Sequence, residues 1–246
     1  MSTLTNGLKG LLFGLYGLWV WSVFIVVCTI VMVLLVILPS VHSRRNVVRY
    51  GAKAALALSG LRPRVAGLKL LPTEPCVVVA NHASYFDGIV MTALLPPRFQ
   101  YVVKQEMANV PLAGYLLKRL GTQFVRRTSA ATSGGDARRI MKAAKNQESI
   151  VFFPEGTFAI EPGLKKFHSG AFIIAAAGAM PVTPTVIRGT RQVMPSGRWL
   201  AHPGSIDVVL KSAHRIGEDA KDALELKSLC RQSILADLNE PDTLER

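Results

Sequence analysis

The stretch Cys76-Val77-Val78-Val79-Ala80-Asn81-His82-Ala83-Ser84-Tyr85-Phe86-Asp87 decides how the rest of the chain is read. Val77 to Ala80 is a short apolar run rich in β-branched side chains, as expected of a strand buried on both faces. Asn81 and Ser84 favour turns and caps, and Gly88-Ile89-Val90-Met91 then opens a helical pattern. His82 is thereby placed just past the carboxyl end of a central strand, where open α/β sheets put their sites. Side chains five residues apart do not face one another on a helix, so His82 and Asp87 meet only if the turn between them folds back. Asp87, favoured as a carboxylate by the helix dipole, could then hold one ring nitrogen and leave the other to take a proton. That is a base and its orienter without a nucleophilic side chain, so the attacking group would be a hydroxyl of the substrate. A surface histidine beside a capping aspartate reads the same way, so the stretch needs its context.

Composition supplies part of that context. The 246 residues suggest one or two domains, and half of them are hydrophobic. The excess is concentrated in Leu11 to Leu38, 28 residues without a charge, well past the ~18 that mark a transmembrane candidate. A secretory signal has a core of only ~7–15 apolar residues and a small-residue cleavage site, which does not follow Leu38. Tyr16, Trp19 and Trp21 in the first half suit a membrane interface, and Pro39 ends the helix. Ser43 to Leu58 follows as a basic helix with Arg44, Arg45, Arg49 and Lys53, a fair interfacial element. Two architectures remain open: one spanning helix, or a two-helix hairpin entering a single leaflet. Either way residues 1–60 read as a membrane anchor (hydrophobic helix about 8–38, interfacial helix about 43–58), and 61–246 as the catalytic domain.

The net charge of +13 is equally uneven. Lys9, Arg44, Arg45, Arg49, Lys53, Arg62, Arg64 and Lys69 all precede the first acid, Glu74. Such a run suits an anionic lipid surface. The positive-inside rule puts the remainder on the cytoplasmic face, at the inner membrane in a bacterium. No stacking aromatics or nucleic-acid motif accompany the bases, so nucleic acid is not expected as a partner. Cys28, Cys76 and Cys230 are odd in number and lack metal-ligand spacing, which fits small packing residues in a reducing compartment.

From Leu61 onward short apolar runs alternate with amphipathic segments. Strands are expected at Val77–Ala80, Gln100–Val103, Gln123–Val125, Ile150–Phe153, Val182–Ile187 and Ser205–Leu210. Helices are expected at Gly88–Leu95, Leu112–Leu120, Asp136–Asn146, Ser169–Ala179 and Asp219–Asn239, with a small-residue loop at Thr128–Gly135. This alternation argues an α/β domain with a largely parallel sheet. Pro154-Glu155-Gly156-Thr157 ends one strand, and Glu155 and Thr157 should project from the same sheet edge as His82. A glutamate there could accept from a glycerol hydroxyl or lock an arginine. Arg126 and Arg127 end another strand and Lys104 a third, all suited either to phosphate or to a solvated edge. No G-x-S-x-G elbow, P-loop or G-x-G-x-x-G turn is present, and the histidines lack metal spacing. No metal or cofactor is expected.

Taken in order, these blocks resemble the glycerolipid acyltransferase family, and within it the 1-acylglycerol-3-phosphate acyltransferases. Asn81-His82-Ala83-Ser84-Tyr85-Phe86-Asp87 looks like the family's H-x-x-x-x-D block, and Gly121 to Arg127 (GTQFVRR) like its second. Phe153-Pro154-Glu155-Gly156-Thr157 is similar to the third and Val182-Thr183-Pro184-Thr185-Val186 to the fourth. The resemblance implies a single α/β acyltransferase domain with a mostly parallel mixed sheet. It further implies transfer of a fatty acyl group from acyl-CoA or acyl carrier protein to lysophosphatidic acid. His82 would be the base and Asp87 its orienter. Lys104, Arg126 and Arg127 would take the phosphate, and Glu155, Gly156 and Thr157 the glycerol. Arg126 stands where the second block usually has an acid, Phe158 where the third continues into arginine or serine, and His168-Ser169 where lysines are frequent. Those departures bear on the acceptor: glycerol 3-phosphate, another lysophospholipid or an amino-acid lipid are alternatives. Outside the family, the composition also suits a silent membrane protein that binds anionic lipid, or a lipid hydrolase using water.

Overall fold

A computed structural model describes residues 2–125 and 148–244. Among them, seven strands form one sheet in the order β1-β7-β6-β2-β5-β3-β4. These are β1 (Arg64–Ala66), β2 (Val77–Ala80), β3 (Phe99–Lys104), β4 (Gln123–Val125), β5 (Ser149–Phe152), β6 (Val182–Arg188) and β7 (Asp207–Leu210). Every neighbouring pair is parallel except β6 and β7. β2 occupies the centre, with Val79 opposite Phe152 on one side and Pro184 on the other. All four of its residues are buried, as its unbroken apolar run requires.

Side chains alternate across the sheet with period two, so β2 serves two cores. Val77 and Val79 pack with Phe172 of α5 (Gly170–Ala177) and with Leu226 and Ile234 of α7 (Ala223–Leu238). Val78 and Ala80 pack on the other side with Val90 and Met91 of α3 (Phe86–Leu94) and Leu56 of α2 (Val41–Leu58). Two shorter helices, α4 (Ala113–Arg119) and α6 (Thr190–Val193), complete the set. The expected strands and helices in the described residues are present with ends shifted by a few residues. One strand was not foreseen: β1 is three exposed residues at the sheet's edge, too short to show a pattern. The expected helix Asp136–Asn146 and the loop Thr128–Gly135 lie outside the described residues.

The N-terminal α1 (Ser2–Ile37) contains a stretch, Gly7–Ile37, long and apolar enough to cross a membrane, with mean hydropathy 3.1 in its most apolar window. It nevertheless lies along the domain. Gly17, Val20, Val23, Val31 and Leu35 form a buried stripe, while Leu18, Trp19, Ile25, Ile30 and Ile37 are exposed. The Tyr16 hydroxyl donates to the Ser59 carbonyl at 2.8 Å, and Trp21 Nε1 to that of Trp199 at 2.5 Å. Gly51 lets α1 and α2 close up, since a Cβ there would stand 2.5 Å from Val31 Cγ2.

The arginines of α2 correct one expectation. Three of the bases assigned to a lipid surface turn instead toward helix ends of the protein. Arg44 Nε donates to the Leu38 carbonyl just past α1 at 2.8 Å, and Arg45 Nε to Leu120 just past α4 at 2.9 Å. Arg49 Nη2 donates to Leu94, the last residue of α3, at 3.5 Å. The last carbonyls of a helix lack internal partners and carry partial negative charge, so a cation is favoured there.

Candidate active site

Because β2, β3, β4 and β5 run parallel, their carboxyl ends share one edge, and the candidate residues collect there. Asn81 follows β2 and extends its pairing with β6. Its side chain accepts from Ile187 N at 2.7 Å and donates to the Ile187 carbonyl at 2.8 Å. The next residue is His82, and the turn after it folds back as the spacing demanded. Asp87, fully buried in the first turn of α3, puts Oδ2 2.9 Å from His82 Nδ1. The same oxygen accepts from Ala83 N at 2.6 Å and Ser84 N at 2.8 Å. Ser84 Oγ in turn donates to the Met194 carbonyl at 2.8 Å. A carboxylate only accepts, so the neutral imidazole carries its hydrogen on Nδ1 and keeps a lone pair on Nε2.

Aromatic rings, which the sequence did not mark as part of a site, frame the imidazole. Phe153 stacks on it at 4.4 Å between centroids, and Phe158 meets it edge-on at 4.6 Å. Tyr85, itself exposed, packs perpendicular to Phe158 at 4.8 Å.

Glu155 arrives from β5, the strand next to β2, and has other partners than those expected. It is 5% exposed, with Oε1 accepting from His82 N at 2.6 Å and Oε2 from Lys165 N at 2.8 Å. Both oxygens are thus engaged by main-chain amides, one of them belonging to His82 itself. Burial pushes the Glu155 carboxyl up to about 7 despite these two bonds, and the charges of Asp87 and Glu240 push the same way. Gly156 adopts φ +79, a left-handed turn position that suits glycine, and donates to the Phe153 carbonyl at 3.0 Å. Thr157 is exposed, its hydroxyl 3.5 Å from the Phe158 carbonyl.

Lys104 ends β3 and is exposed, 3.4 Å from Glu106. With β5 between β3 and β2, it stands about 10 Å along the edge from His82 at ~4.8 Å per strand. Arg126 and Arg127 follow β4 but lie outside the described residues. Among the described residues, no group of three or more His, Cys, Asp or Glu gathers as a metal site.

Comparison with known proteins agrees with this architecture. Residues 62–188, just over half of the chain, match the family model described as "Acyltransferase". A chloroplastic 1-acyl-sn-glycerol-3-phosphate acyltransferase of Brassica napus is 31% identical over 149 residues, 59% of this chain and 43% of that protein. The chain thus spans less than half the length of that relative. A lyso-ornithine lipid O-acyltransferase of Rhizobium meliloti is 31% identical over 218 residues, 80% of this chain and 72% of that protein. The fold is also that of the crystal structure of a 1-acyl-sn-glycerophosphate acyltransferase from Thermotoga maritima. The TM-score there is 0.72 at 22% identity, covering 93% of this chain and 94% of that one. With the match running from just before β1 through the last residue of β6, and so across both the His82 and Glu155 turns, the chain belongs to the acyltransferase family.

Proposed function

We propose that this chain transfers a fatty acyl group from acyl-CoA or acyl carrier protein to the sn-2 hydroxyl of 1-acylglycerol 3-phosphate, giving phosphatidic acid. The observation that carries the reading is the His82–Asp87 pair, 2.9 Å apart at the end of the central strand, with Nε2 left for the substrate. Nε2 takes the hydroxyl proton as that oxygen attacks the thioester carbonyl carbon. The tetrahedral intermediate collapses, the C–S bond breaks, and the imidazolium returns its proton to the departing thiolate. General-base action contributes ~10²–10⁴-fold, and holding hydroxyl and thioester together supplies the rest. The reaction calls for no metal or further cofactor.

We assign the acceptor's phosphate to Lys104, Arg126 and Arg127, and its glycerol to Gly156 and Thr157. Glu155 serves that second subsite through the turn it holds. Residues 1–60 act as the anchor and 61–246 as the catalytic domain. The inner stripe of α1, packed on the domain along much of its length, favours a helix pair lying in one leaflet over a helix crossing both. The outer apolar face of α1 then sits in the acyl region, with the domain on the cytoplasmic side.

An acceptor without phosphate is the second reading. Phe158 favours it, since an apolar ring stands against the imidazole where a cationic side chain would draw phosphate toward the base. The test is transfer from labelled acyl-CoA or acyl carrier protein by membranes containing wild type or His82→Ala. Lysophosphatidic acid, glycerol 3-phosphate, lysophosphatidylcholine and lyso-ornithine lipid would be offered in turn. Phosphatidic acid made by wild type and lost in the variant supports the first reading. Equal turnover with the phosphate-free acceptor sinks the assignment of Lys104, Arg126 and Arg127. Absence of His82-dependent transfer to any acceptor from either donor overturns the enzyme reading.

A further inference from the structure

The C-terminal tail reaches the loop that carries Glu155. α7 ends at Leu238, and Asn239 takes the left-handed cap conformation at φ 58, which turns the chain back. Glu240 then accepts from Gly163 N at 2.7 Å and from Arg191 twice, with Nε and Nη2 each at 3.0 Å. Arg191 Nη1 also donates to the Ala159 carbonyl at 2.5 Å. The pair is 11% and 19% exposed and doubly bonded, the geometry in which an ion pair holds position best.

The next peptide groups are gripped in succession. Leu164 N donates to the Pro241 carbonyl at 2.9 Å, and the Leu164 carbonyl accepts from Arg231 Nη2 at 2.9 Å and Thr243 Oγ1 at 2.8 Å. Arg231 is itself fixed on Asp242, with Nη1 at 2.5 Å and Nη2 at 2.6 Å. Lys165 N then goes to Glu155, whose other oxygen holds His82 N. The Leu164 carbonyl and the Lys165 N–H belong to one planar peptide unit, so a shift of that carbonyl carries the amide with it, and Gly163, clamped on Glu240, is the residue that leads into this unit. Gly163 itself has no room for a side chain: a Cβ there would lie 2.5 Å from Thr243 Cγ2.

We infer that Glu240, clamped by Arg191, is a positioning residue for His82, acting through the Gly163–Lys165 segment and Glu155. The inference rests on the acyltransferase reading only for its kinetic arm. The relay ends on the main-chain amide of the base, so slack in the tail tilts the imidazole against its substrate. Displacements well under the size of an atom are enough to slow a positioned reaction.

The test compares full-length wild type with Glu240→Gln, which keeps size and one acceptor, by amide hydrogen exchange and by steady-state kinetics. The expected result is about ten-fold faster exchange at His82 and Lys165 with Val78 unchanged. With it, kcat falls about ten-fold while KM for donor and acceptor stays put. Glu240→Asp, which keeps the charge but shortens the reach, falls between the two. It also serves as the test variant if Glu240→Gln does not fold, with the same shifts in smaller measure. Faster exchange confined to Gly163 and Leu164, with His82 and kcat unmoved, overturns the inference. If wild type transfers no acyl group at all, the functional reading fails, and exchange at His82 alone still decides whether the tail positions it.

Discussion

Two turns meet at the carboxyl edge of the sheet, and they are built on opposite plans. In the turn after β2, Asp87 collects the His82 ring and the amides of Ala83 and Ser84, all within five residues. In the turn after β5, Glu155 binds amides 73 and 10 residues away, and its loop is tied down by Arg191 and the C-terminal tail. The first turn pairs the imidazole with its carboxylate using its own letters. The second ties the His82 main chain to the rest of the molecule. Chemistry can be encoded locally, whereas orientation is assembled from distant parts of the chain.

The largest effect is expected inside the first turn. His82→Ala should lower acyl transfer by ~10²–10⁴-fold in a labelled-thioester assay, with the fold intact by circular dichroism. Asp87→Ala should lose a comparable share of activity and also weaken the fold. It orphans three donors that share one buried oxygen, at ~1–3 kcal/mol for each that finds no water, readable by urea titration. An Asp87→Ala chain as stable as wild type would break the idea that the turn is a self-contained unit.

The second turn has a pH signature. The Glu155 carboxyl sits at about 7, above its ordinary 4.5. Between those values the folded chain holds a proton that the unfolded chain has released, so this group's contribution to stability falls as pH rises through the window. At about 1.4 kcal/mol per unit the loss is on the order of a few kcal/mol. The melting temperature of wild type should therefore decline between pH ~5 and ~7, and Glu155→Gln should flatten the decline. A slope equal in both chains would assign it elsewhere. The smallest effect is expected far from either turn. Arg64 pairs with Asp207 at 2.6 Å but is 72% exposed, and Arg64→Ala should leave the midpoint of the same urea titration essentially where it is in wild type.

What the sequence disclosed follows the same division. β2 and β4 stand at their expected ends, because an apolar run between turn formers is a local signal. The fold-back joining His82 to Asp87 was legible for the same reason. α3 begins two residues earlier than expected, at Phe86, because Asp87 belongs to the helix whose start it stabilises. α7 begins later than expected, because Asp222 caps it by accepting from Leu224 N and Glu225 N. The partners of Glu155 were not legible, since nothing near it in the chain announces an amide 73 residues away. Nor was the inward turn of Arg44, Arg45 and Arg49, because a base looks the same in sequence whether it meets a phosphate or a helix end.

That inward turn has a practical consequence for anyone handling the protein. Cutting away the apolar N-terminus is not expected to leave a well-folded remainder. A chain beginning at Leu61 would strip Val20 and Leu56 from the core beneath β2 and leave the carbonyl ends of α3 and α4 without their cations. Purification will have to keep the whole chain and a detergent or nanodisc with it, because the part that seeks lipid is also part of what closes the fold.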